Sequence, residues 1–352
     1  MAAASRGAGR PRVAYFDLLA VMACLAVVAM HVDGAYWQFR PSPSWLVNLF
    51  VHKTFYWAVP VFYMLTGAKL LPSFRWEKLG GYLRKRFSRT VVPFLAWSLI
   101  GIVFGLVVTG DVPFGEAPSY YLGLVVGTSI PTENVLWFMV PLFSIYLAIP
   151  LLALVPEEYR IRAFGYALVA YLAISALNRT LSVVGVQANG SLSAPLNTAW
   201  LVYPLLGYIL SHCAFDSRRR RAIYVLGIAS WALMFFGTLT QSFREGALVH
   251  FASGGIDLPS ILLASAVFLA VRTFSEQHPE ALARHAAKLK QGGVLTFGVY
   301  LTHMFVLEIF IRLTGVQGAS WWWGIAGVPV IFSLSMLLSA LLNRIPVIRR
   351  LV

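Results

Sequence analysis

Apolar runs long enough to cross the ~30 Å hydrocarbon core of a bilayer recur about ten times along this chain. They occupy 14–33, 46–71, 90–109, 134–155, 162–184, 197–214, 222–241, 257–274, 292–313 and 321–342. In hydrocarbon every backbone N–H and C=O must find a partner inside its own segment, so each run reads as a helix. Charged residues are 12% of the chain, against about a quarter in soluble domains, which excludes a soluble fold. The expectation is an all-α, polytopic integral membrane protein of about ten transmembrane helices. It forms a single domain over 1–352, of which 1–13 is a short basic tail leading into an uncleaved first helix. Tyr120–Thr128 reads as a short re-entrant piece.

The net charge of +14 invites a nucleic-acid reading, but the basic residues fall in short clusters between apolar runs, which excludes it. With the amino terminus inside, the inner segments collect Arg6, Arg10 and Arg12, the group from Arg75 to Arg89, Arg160, Arg162, Arg218–Arg221, Arg284, Lys288 and Lys290, and the last arginines. The outer segments hold only Arg40, Lys53, Arg179, Arg244 and Arg312, so both termini are expected on the cytoplasmic side. Lys53 and Arg179 are explained by snorkelling to the interface. The two cysteines, Cys24 and Cys213, offer neither a metal spacing nor a disulfide framework, and no metal is expected.

His31 stands near the far end of the first run, an ionisable ring among apolar neighbours, and its position alone fits a functional residue and an interfacial one that reaches water about equally. His303 lies mid-span in the ninth run with Tyr300 one turn before it. Glu308 is offset from the His303 face and is expected to pair with Arg312 one turn on. Aromatic residues crowd the outer side and read mostly as an interfacial belt, with Trp137, Tyr36 and Trp57 placed to line a binding site.

Five stretches, in order, resemble the membrane-bound acyltransferase family 3, the polytopic O-acyltransferases that modify surface glycans. YFDLLAVMACLAVVAMH resembles the first-helix signature, in which an arginine precedes a histidine by eleven positions. WAVPVFYMLTGAKLL at 57–71 is similar to the family's VPVFFxxSG helix, and YLRKRFSRTVVPFLAWS at 82–98 to its basic entry into the third helix. VLWFMVPLFSIYLAIPLL at 135–152 resembles the LWF helix, and LTFGVYLTHMFVL at 295–307 the late SFGIYLxHxxxL helix. The family arginine falls at Ala20; Val135 stands where relatives often carry histidine, and Thr66 where they carry serine. Position 20 and His31 lie on one helix face about 16 Å apart, so the stripe Asp17, Ala20, Cys24, Val28, His31 lacks the expected cation.

The resemblance implies an O-acyltransferase that moves an acetyl or short acyl group from cytoplasmic acyl-CoA, usually acetyl-CoA, to a hydroxyl of a glycan or glycolipid. It implies catalytic roles for His31 and His303, with Asp17 as a lesser candidate. An imidazole suits the deprotonation of a hydroxyl, or covalent relay of the acyl group. Donor phosphates need cations at the inner face, for which Arg86, Arg89 and Arg12 are the candidates. Trp137, Glu133 and Tyr300 are the candidate acceptor contacts. Implied partners are membrane lipids, the acyl donor, the acceptor and a possible separate extracytoplasmic protein, in the inner membrane of a bacterium. Two rival readings are a lipid-linked glycan transporter or flippase, and an acyltransferase-like binding protein impaired by the loss at Ala20.

Overall fold

The computed structural model describes residues 13–32, 34–125, 134–186, 193–194, 199–316 and 320–352. The first half holds α1 (Ala14–Val32), α2 (Pro43–Phe55), α3 (Ala58–Leu70), α4 (Leu79–Arg86), α5 (Val92–Phe104), α6 (Ala117–Val125) and α7 (Met139–Leu152). The second holds α8 (Glu157–Ala170), α9 (Leu177–Ser182), α10 (Val202–His212), α11 (Ser217–Glu245), α12 (Leu258–Gln277), α13 (Pro279–Thr314) and α14 (Trp323–Leu342). No strand occurs among the described residues. Eight helical stretches among them are long and apolar enough to cross a membrane, giving the expected all-α polytopic membrane protein. Tyr120–Thr128 holds the end of α6, and its residues 126–128 lie outside the described residues.

Two of the ten expected runs take another form. The run 46–71 is broken into α2 and α3 at Tyr56–Trp57. Pro60 has no N–H for the Tyr56 carbonyl and its ring crowds that carbonyl, so one helix stops and a second starts. The run 197–214 contributes only the short α10, entered through a 3-10 turn at Ala199–Leu201.

α1 is the hub of the bundle and packs against α13, α3, α14, α2 and α12. Its small residues allow this: Ala23, Cys24 and Ala26 are wholly buried. α1 and α13 run parallel, with the Cys24 thiol donating to the Thr296 carbonyl at 3.5 Å and His31 against His303 seven residues further along both helices. The ends where α1 and α13 begin and α3, α10 and α12 finish lie together; this is the basic end, since Arg84, Lys85 and Arg218–Arg221 follow or precede these termini.

α3 and α10 cross at backbone contact. A Cβ on Gly67 would sit 2.0 Å from the Pro204 carbonyl oxygen, and one on Gly207 would sit 1.9 Å from that of Met64. The glycine of the TG pair in the second-helix motif is therefore a packing requirement.

Buried cations serve as staples. Arg160 donates to the carbonyls of Val155, Ala153 and Leu71 at 2.9, 3.0 and 3.3 Å, closing the ends of α7 and α3. Arg272 does the same for α10 through the Leu210 and Cys213 carbonyls at 2.5 and 2.8 Å. Each satisfies carbonyls that a helix terminus leaves open, Arg160 in the buried interior and Arg272 beside the basic-end cavity.

Because backbone cannot give way as a side chain can, Gly67→Ala should lower stability by about 3 kcal/mol or prevent folding. Gly80→Ala, where a Cβ meets nothing within 4 Å, should leave stability unchanged or slightly raised. Thermal unfolding of the two variants in detergent, compared with the parent, measures the difference.

Candidate active site

His31, the penultimate residue of α1, faces His303 of α13 with ring centroids 5.2 Å apart and planes at 66°. The His31 Nδ1–H donates to the Val27 carbonyl at 2.7 Å. The His303 Nδ1–H donates to the Tyr300 carbonyl at 2.7 Å, with a weaker contact to that of Val299 at 3.3 Å. A carbonyl can only accept, so both rings carry their proton on Nδ1 and present a bare Nε2. His303 is 1% exposed and its Nε2 has no hydrogen-bond partner. His31 is partly exposed, so its Nε2 is the one a substrate can approach.

The LWF segment forms the wall beside this pair. Its 3-10 turn, Asn134–Phe138, is pinned from two helices: Tyr300 donates to the Val135 carbonyl, and Tyr63 donates to the Phe138 carbonyl at 2.8 Å. The Phe138 ring stacks on Tyr63 at 5.0 Å and meets Tyr300 at 5.1 Å. Tyr300 thus directs its hydroxyl to the wall and its carbonyl to His303, which makes it a positioning residue. Trp137 is 43% exposed and lies 5.5 Å from Trp200, leaving its indole open. Tyr36 and Trp57 are buried instead. Glu133 and Arg12 lie outside the described residues. Glu308 pairs with Arg312 at 2.5 Å, on the outside of α13.

On the far side of His31 the short helix α2 carries a second polar group. Lys53 does not snorkel: it is wholly buried and donates to the Ser253 hydroxyl at 2.8 Å. The α11–α12 connection folds back over α2 and traps it, as the Tyr56 hydroxyl also donates to the Ser253 carbonyl. His52 stacks on Tyr36 at 3.7 Å, on a helix that packs against α1. The Tyr36 hydroxyl meets His250 Nδ1 at 3.2 Å. Burial pushes the Tyr36 hydroxyl up, so it stays protonated and donates. Burial, and then the Lys53 charge, hold the His250 imidazole below its ordinary range, so it is neutral and accepts. Only the adjacency of His52 and Lys53 in an apolar run hints at this cluster in the sequence.

At the basic end a cavity of about 580 Å³ opens between α1, α3, α10 and α12. Its wall includes Asp17, Lys69, Ser211, His212, Arg272 and Glu276. Lys69 lies over the Phe16 ring at 5.5 Å. Asp17 is buried against α13, where a Cβ on Gly293 would meet its Oδ1 at 3.0 Å. Arg86 and Arg89 do not line this cavity. Arg86 turns inward over the rings of Tyr82 and Tyr146 at 5.6 and 5.3 Å, and Arg89 is exposed. Ala20 is 7% exposed in the packed core one turn above the cavity. Among the described residues no three His, Cys, Asp or Glu side chains gather as metal ligands.

The arrangement provides two unprotonated imidazole nitrogens inside a membrane bundle, an aromatic wall and a separate basic-end cavity. No curated protein and no solved structure matches the chain. The Acyl_transf_3 family profile, described as an acyltransferase domain, matches residues 13–340 and so takes in every helix named above. The chain belongs to this family of membrane acyltransferases.

Proposed function

We propose that the protein transfers an acetyl or short acyl group from acyl-CoA on the cytoplasmic side to a hydroxyl of a glycan or glycolipid on the other. The observation that carries this is the His31–His303 pair, two facing imidazoles that spend Nδ1 on backbone carbonyls and keep Nε2 unused. His31 Nε2 takes the proton from the acceptor hydroxyl as its oxygen adds to the thioester carbonyl. The C–S bond then breaks, the thiolate leaves as the coenzyme, and the imidazolium returns the proton to sulfur. His303 cannot share a positive charge with His31 without a cost, which keeps the imidazolium short-lived and its proton easily returned. Tyr300 and the 134–138 turn hold His303 in place.

The basic-end cavity is the reading's donor site. Lys69 stands on its wall, near the end of α1 where the family arginine is missing, and is suited to a phosphate of the coenzyme. The acceptor approaches from the other end, past Trp137, whose open indole suits a sugar face. Cys24 and Val28 are packed between the cavity and His31, so the helices around α1 must part for the donor's acyl end to reach His31.

His31→Ala should cut acyl transfer from labelled acetyl-CoA by about 100-fold or more, with the unfolding profile in detergent unchanged. Transfer retained at the parent rate would remove the base from this scheme. Lys69→Ala should raise KM for acetyl-CoA about tenfold while changing kcat far less, as loss of one charge-assisted contact in the ground state does. Steady-state kinetics with varied acetyl-CoA checks this.

A further inference from the structure

Lys53 has no role in the chemistry above, and its environment is unusual. The ammonium is wholly buried, yet no carboxylate lies within ion-pair distance among the described residues. It has three N–H donors and one hydrogen-bond acceptor, the Ser253 hydroxyl. The rings of Tyr36 and Tyr56, at 5.6 and 5.4 Å, cover its other sides. Burying an ammonium with so little compensation is costly and favours the neutral amine, so an anion at this point gains by restoring the charged form.

Two further observations point to the same place. His52, 6% exposed, leaves its Nδ1 without a partner beside Lys53. The segment that delivers Ser253 is held in a strained form: Ala252 has φ of 47°, in the left-handed region that alanine rarely adopts. Strain of this kind persists where the surroundings impose it and gathers at binding sites. At the mouth, Trp37 is 53% exposed and its ring meets His52 at 5.4 Å and His250 at 5.9 Å. An exposed indole over a buried ammonium is a suitable receptor for a sugar that carries an acid: the ring face stacks and the oxyanion reaches inward.

We infer that Lys53, Ser253 and His52 form a binding site for an anionic oxygen group of the acceptor, which makes the protein selective for an acidic acceptor. The group is a carboxylate on a sugar or a phosphate on a lipid-linked glycan. The inference rests on the acyltransferase reading for the word acceptor, while the site itself is defined without it. Occupation by the anion supplies the hydrogen bonds that the ammonium lacks, and it holds the acceptor on α2, which packs against the α1 helix that carries His31. Small movements of Trp37 and Tyr56, which is only partly buried, open the way in.

The test is direct binding to the purified full-length protein in detergent, which needs no turnover. Three probes are used: a glucuronic-acid-terminated oligosaccharide, its carboxyl-reduced counterpart and farnesyl phosphate. The parent should bind at least one anionic probe about tenfold or more tighter than the reduced oligosaccharide, and Lys53→Met should abolish that preference. The probe that shows the preference identifies carboxylate or phosphate as the group. Methionine fills a similar volume without a charge, and unfolding curves report whether the variant folds. Should Lys53→Met not fold, Ser253→Ala, which keeps the charge and removes its anchor, should weaken the same anionic probe about threefold and leave the neutral one alone. Equal binding of charged and neutral probes by the parent, or a preference that survives both substitutions, overturns the inference. An anion preference in a protein that transfers no acyl group from acetyl-CoA would refute the proposed function and leave this site standing.

Discussion

The parallel packing of α1 on α13 is the contact on which the rest of the bundle depends. Cys24 meets Thr296, and seven residues on His31 meets His303, so both helices advance by one heptad between the two contacts. A seven-residue step returns to the same seam of two gently supercoiled helices, which fixes the imidazoles opposite each other through the packing below them. At the basic end the same seam closes on Gly293, the small residue that lets α13 approach Asp17, and on Gly292 against Val21. Around this pair, α3 and α14 flank α1, and the 134–138 turn reaches the seam through Tyr300.

A bilayer interior has no water to satisfy stray polar groups, and this separates structural from chemical residues in the bundle. Tyr63, Tyr203, Tyr300, Arg160 and Arg272 all give their protons to backbone carbonyls at helix ends or in tight turns. They fill gaps that helices leave, and of these five only Arg272 also lines the basic-end cavity. His31 and His303 use Nδ1 in the same way but retain a bare Nε2. Lys53 has donors in excess of its one acceptor. Among the buried side-chain atoms left without a partner, His303 Nε2 and His52 Nδ1 belong to these two places, as expected of groups that a substrate completes.

Much of the fold was legible because hydropathy reports membrane spans directly, and eight of the expected runs are continuous helices. The break at Tyr56–Trp57 was written in Pro60 but is invisible to a count of apolar residues. The two histidines could be singled out because an ionisable ring in an apolar helix is rare, and the motif order joined them. Arg86 illustrates the limit: the sequence shows a basic cluster, while only the fold shows its guanidinium turned over Tyr82 and Tyr146. Lys53 was misread for a related reason. Its partner Ser253 is 200 residues away, and a lysine near a helix end reads as snorkelling until the covering segment is seen.

The absence of an arginine at position 20 looks different once α1 is seen in place. Ala20 and Ala23 are buried in the main core, and Cys24 against α13, on a helix whose close approach to its neighbours relies on small side chains. A guanidinium there would need room that neighbouring helices now fill and acceptors beyond those that the α1 face offers. Lys69 of the facing helix α3 places a cation near that level, over Phe16 at the rim of the cavity. A lysine is a point charge on a flexible stem, whereas an arginine fixes a planar fork. If a cation at this level serves only to hold the donor's phosphates, lysine from α3 can serve as well as arginine from α1. If it must orient a specific pair of oxygens, it cannot. The two roles differ in where their loss is felt, ground-state binding in the first and the chemical step in the second, and the cavity's position well below His31 favours the first.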